Sequence, residues 1–130
     1  MNYQQAVKML RDAGLININK PAYSLRNFNK VAFHGRFNET PRTFLIKAMV
    51  CKEIHDRGDH FISEFELRNR KIDVFRIMNG DFAKYEVATN PIKELSKKEA
   101  LIPGMEFTID LNKLPSTKKL EKAVKKMILC

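Results

Sequence analysis

Three carboxylates lie inside otherwise apolar, strand-forming segments. They are Glu64 in Phe61-Ile62-Ser63-Glu64-Phe65, Asp73 in Ile72-Asp73-Val74-Phe75, and Glu86 in Tyr85-Glu86-Val87. A carboxylate in such a setting is costly to bury unless it is paired or holds a metal. Adjacent hairpin strands would bring Asp73 and Glu86 side by side. Like charges at that range raise each other's pKa unless a cation lies between them. Mg²⁺ or Mn²⁺ with oxygen ligands suits such a pair. An ion of that kind activates water and stabilises charge on a phosphate. The competing reading has these acids facing solvent on edge strands, or paired with Arg68, Arg70, Lys71 or Arg76.

The elements that must position these groups follow from periodicity and punctuation. Residues 3–13 predict a short helix with Ala6, Met9, Leu10 and Ala13 on one face and Gly14 as its stop. Residues 15–38 are Asn-rich and broken by Pro21 and Gly35, so they predict loop. Thr40-Pro41 opens a helix that runs to about Arg57 and stops at Gly58. Its apolar positions, Phe44 to Ile54, cover more than one stripe and predict a largely buried helix. Strands are expected over His60–Leu67, Lys71–Met78 and Phe82–Thr89. The turn Asn79-Gly80-Asp81 joins the last two as a hairpin. Asn90-Pro91 opens a helix through about Ala100, Met105–Leu111 alternates as a fourth strand, and Pro115-Ser116 starts a last helix. The fold class expected is α/β: a mixed four-stranded sheet flanked by helices, with core order α-β-β-β-α-β.

With 130 residues the chain fits one domain. The balance of 24 Lys+Arg against 15 Asp+Glu gives +9 and predicts attraction to polyanions, nucleic acid first. No apolar run is long enough to span a membrane, and Trp is absent, which argues against a membrane-surface role. Cys51 and Cys130 form neither a disulfide framework nor a zinc set, and Met1-Asn2-Tyr3-Gln4-Gln5 lacks a secretory pattern. An intracellular, cytoplasmic and reducing setting is the expectation. His34, His55 and His60 have no zinc spacing, and neither a Gly-rich phosphate loop nor a serine-hydrolase elbow is present.

Arg57-Gly58 closing a helix, then Asp73-Val74, then Tyr85-Glu86-Val87-Ala88, in that order, resembles the PD-(D/E)XK nuclease superfamily, in its archaeal Holliday-junction-resolvase-like flavour. The resemblance covers roughly residues 40–111. It implies a restriction-endonuclease-like fold over residues 39–130, with residues 1–38 as an N-terminal helix and loop extension. It implies that Asp73 and Glu86 hold Mg²⁺ or Mn²⁺ with the backbone carbonyl of Val87, and that Glu64 is an additional site glutamate. The activity implied is metal-dependent hydrolysis of DNA phosphodiester bonds, in branched or duplex DNA, with a homodimer as the working form. One departure stands out. The family's lysine, two residues after the glutamate, is Ala88 here. Either the lysine has migrated, to Lys47 on the buried helix or to Lys84 on the face of Glu86, or catalysis has been lost and a DNA-binding fold remains. A small viral or plasmid structural or regulatory protein is the third reading.

Basic groups expected to follow the phosphate backbone are His34, Arg36 and Arg42, then Arg68, Arg70 and Lys71 at a hairpin, then Lys93 and Lys97 on the crossover. The lysines of the last helix are read instead as a solvated face.

Overall fold

A computed structural model describes residues 1–16, 25–32, 40–67, 70–88, 102–114 and 119–128. Helix α1, Tyr3–Asp12, starts at a capping box in which Asn2 and Gln5 exchange side-chain to backbone hydrogen bonds. Helix α2, Pro41–Asp56, starts with the Thr40 hydroxyl accepting from Thr43 N–H and Pro41 in its first turn. Beyond it Gly58 takes a φ of +82°, the left-handed cap expected there. Four strands follow: β1 His60–Leu67, β2 Arg70–Met78, β3 Asp81–Ala88 and β4 Met105–Asp110. A 3₁₀ turn at Leu111–Lys113 leads on, and helix α3 spans Leu120–Met127.

The sheet order is β1-β2-β3-β4, with the first two pairings antiparallel and the third parallel. The expected mixed four-stranded sheet with flanking helices is therefore present. Asn79-Gly80 makes a two-residue hairpin, since Met78 pairs with Asp81. Only Gly80 takes a positive φ there, so the Asn79 backbone does not use the freedom the sequence offered. The parallel β3–β4 pair needs a long crossover. The helix expected at residues 90–100 falls outside the described residues.

Each face of the sheet has its own core. Ile46, Val50 and Ile54 of α2 and Leu120 and Val124 of α3 pack with Val74, Tyr85 and Ile109 on one face. Ala6, Val7 and Leu10 of α1 pack with Ile62, Ile72, Phe75, Ile77 and Phe82 on the other. Helix α2 buries one stripe, not most of its surface: Leu45 is 47% exposed. On α3, Lys122, Lys125 and Lys126 are exposed, as a solvated face requires. Residues 27–29, in the stretch expected to be loop, line the outer edge of β1. Phe28 bridges to Ile62, and Asn29 N–H donates to the Phe61 carbonyl. Gly104, at the entry to β4, has a φ of +105°, and a Cβ there would lie 2.8 Å from the Phe82 backbone.

Side-chain alternation breaks at one level of the sheet. Val74 faces α2, and strict alternation would send Ile72 the same way. Ile72 instead joins the opposite core. The residue between them is Asp73. Opposite it in the β1–β2 register stands Glu64, whose backbone is left-handed at φ +48°. A non-glycine residue held there carries about 1–2 kcal/mol of strain and needs compensating contacts.

Candidate metal centre

Pairing between β2 and β3 runs from Met78–Asp81 to Val74–Tyr85 and stops. The next pair in register would be Asp73 and Glu86. The Asp73 carboxylate occupies the gap, where Oδ2 accepts from Val87 N–H at 2.8 Å. It thus replaces the main-chain acceptor that Val87 would have met had the ladder continued. Because the N–H and C=O of one strand residue point to the same neighbouring strand, the Val87 carbonyl is aimed toward β2 as well. Glu86 remains in the sheet through β4, opposite Thr108.

Asp73 and Glu86 are neighbours across this gap, and the two carboxyl groups act on each other electrostatically. Burial first, then the charge of Asp73 and the hydrogen bond with it, push Glu86 up to about 9, against the opposing pull of Arg70. Two acids thus meet where the strands separate, as their sequence positions implied. At neutral pH Glu86 therefore favours its protonated form.

A guanidinium already neutralises part of this cluster. Arg70 Nη2 donates to Glu86 Oε1 at 2.8 Å and to Glu106 Oε1. One sequence reading paired the strand acids with neighbouring arginines, and for Glu86 that pairing exists. Arg76 goes elsewhere, with Nη2 2.6 Å from Asp59 Oδ2 and Nη1 3.0 Å from the Tyr85 hydroxyl. Glu106 was not singled out from the sequence. The signal was available: it is the second residue of an alternating strand, opposite Lys84, on the side of the sheet that carries Glu86.

The two lysines proposed as migrated are both buried, and each has an engaged ammonium. Lys47 is 1% exposed and its Nζ lies 2.7 Å from Glu64 Oε1. Glu64 Oε2 is buried without a hydrogen-bond partner among the described residues. The same burial pushes the nearby Cys51 thiol up to about 12, so it is an inert core group. Lys84 Nζ donates to the Ile102 carbonyl at 2.8 Å. Of the residues expected on the phosphate backbone, Arg42 donates to the Leu114 carbonyl at 3.1 Å and Lys71 is exposed. His34, Arg36, Arg68, Lys93 and Lys97 lie outside the described residues, as does Cys130. The side chain of Ala88 is also outside them, although its backbone pairs with Asp110 at the end of β3.

Among the described residues, no group of three or more His, Cys, Asp and Glu side chains is arranged to hold a metal. Two carboxylates and a carbonyl still fit Mg²⁺, which keeps several waters and takes one or two carboxylates from its protein. Among the described residues no helix is long and apolar enough to cross a membrane. No family model, curated protein or solved structure matches the chain.

Proposed function

We propose that the chain is a metal-dependent hydrolase of DNA phosphodiester bonds on a restriction-endonuclease-like fold, with Asp73, Glu86 and the Val87 carbonyl as the metal ligands. The observation that carries this reading is the Asp73 carboxylate in the gap where β2 and β3 stop pairing, accepting from Val87 N–H beside Glu86. The element order supports it: a helix, an antiparallel meander of three strands, then a fourth strand parallel to the third. The charge of +9 supports a polyanionic substrate.

Bound Mg²⁺ or Mn²⁺ would supply Lewis acidity, lowering the pKa of water and offsetting charge on the phosphate. The chain's part is to hold the ligands rigidly. Val87 N–H fixes the Asp73 carboxylate, the β3–β4 ladder fixes Glu86, and the buried Lys47–Glu64 pair braces the left-handed turn in β1 next to Asp73. The overall reaction consumes one water. Its oxygen joins phosphorus, the bond from phosphorus to the leaving oxygen breaks, and a proton ends on that oxygen.

A second reading, a catalytically silent DNA-binding protein on this fold, rests on Ala88 in place of the lysine. Incubation with plasmid, four-way-junction and single-stranded DNA in Mn²⁺ separates the two. Wild type is expected to cut and Asp73→Asn to bind without cutting. No cutting by wild type, with binding that weakens steeply as salt rises, would leave the silent reading.

A further inference from the structure

The lysine absent at Ala88 leaves the proposed centre in need of a cation to face phosphate charge. Lys47 and Lys84 are engaged with Glu64 and the Ile102 carbonyl. Among the described residues, the cation that contacts a proposed ligand is Arg70, on the strand of Asp73. It reaches Glu86 and Glu106 together through one nitrogen, with its side chain only 15% exposed. A guanidinium offers five N–H donors in a planar fork, stays charged at any working pH, and suits phosphate.

We infer that Arg70 is the exchangeable cation of this centre: it hydrogen-bonds Glu86 when no metal is bound, yields Glu86 to the metal, stays tethered by Glu106, and then presents its N–H donors to the DNA phosphate. The inference rests on the proposed metal site. Arg70 cannot give or take a proton, so it acts by charge and hydrogen bonding alone. The geometry makes Arg70 and the metal competitors for one carboxylate and partners toward one phosphate. Two effects of opposite sign follow from a single substitution.

In Arg70→Gln a full positive charge leaves the neighbourhood of a dication. Mn²⁺ alone, titrated calorimetrically, should bind at least about fivefold tighter than to wild type. The same variant should bind duplex DNA about tenfold more weakly in Ca²⁺, with less than a twofold change in chelator. General damage to the site would weaken Mn²⁺ binding instead. Mn²⁺ affinity unchanged or weakened in Arg70→Gln, with wild-type binding still dependent on Asp73, overturns the exchange and leaves the proposed metal site standing. Tighter Mn²⁺ with unaltered DNA affinity overturns the phosphate contact. Wild type that binds no Mn²⁺ removes the proposed function and this inference together. Should Arg70→Gln not fold, the wild-type protein carries the test through the Arg70 Nε–H resonance in ¹⁵N NMR. On Mg²⁺ titration that signal should shift and exchange faster with water, saturating with the metal. A signal unmoved by saturating Mg²⁺ would refute the exchange.

Discussion

Lys47→Met tests how the floor of the site is held. The ammonium lies 2.7 Å from Glu64 Oε1, with side-chain exposures of 1% and 5% for lysine and glutamate. At that burial, removing one partner strands the other as an uncompensated charge and costs about 3–5 kcal/mol, whereas removing both is close to neutral. Methionine keeps the unbranched stem, so packing around this buried position changes little. A domain of this size has about 5–15 kcal/mol of stability, so the single variant loses a large share. With a urea m-value of about 2 kcal/mol/M, the midpoint should fall by about 1.5–2.5 M. Lys47→Met/Glu64→Gln should recover more than half of that loss. Urea unfolding at pH 7 followed by circular dichroism measures wild type, Lys47→Met, Glu64→Gln and the double variant. A single-variant loss below about 1 kcal/mol, or a double variant equal to the sum of both singles, would refute the buried pair.

Two further outcomes follow from the same geometry. Glu86 is raised from its ordinary 4.5 to about 9, so folding takes up a proton between those values. Its contribution to stability is fully present below pH 4.5 and is lost as pH rises through about 9; metal-free wild type should therefore weaken over that window relative to Glu86→Gln. Metal must displace the same proton, so Mn²⁺ affinity should climb with pH, by up to about tenfold per unit below 9; pH-independent affinity between 6 and 8 would contradict it. Gly104→Ala should cost at least about 2 kcal/mol, read as a lowered Tm, since the new Cβ meets Phe82 backbone at 2.8 Å with a φ of +105°. A neutral substitution there would mean that β4 enters the sheet differently.

The strands and caps were legible because local chemistry decides them: Thr40-Pro41, Gly58, the apolar alternation and Asn79-Gly80 all name an element or its end. The nearness of Asp73 and Glu86 was legible coarsely, because adjacent hairpin strands bring them together. The exact register was not: the expected turn Asn79-Gly80-Asp81 would put 73 opposite 87, and the observed Met78–Asp81 pair brings 73 opposite 86. What escaped the sequence depends on events across strands. The left-handed φ of Glu64, the reversal of facing between Ile72 and Val74, and the inward turn of Arg70 toward Glu86 and Glu106 are not properties of any local pattern. Arg70 was read as a phosphate contact because it stands beside Asn69 and Lys71 in a basic turn. Its neighbours in space, not in sequence, make it part of the carboxylate cluster. The second core was also missed in part. The period of α1 was plain, but its partners are strand residues far along the chain, and the Asn-rich stretch after it gave no sign of lining β1.

The central claim is that Asp73 and Glu86 hold one hard cation between β2 and β3. Crystals soaked in Mn²⁺ and measured for anomalous scattering test it most directly. A single strong peak is expected within about 2.0–2.3 Å of an oxygen of each carboxylate, absent in Asp73→Asn, with the Arg70 guanidinium moved off Glu86. Wild-type crystals with no peak at that position, and Arg70 still joined to Glu86 at millimolar Mn²⁺, would contradict it.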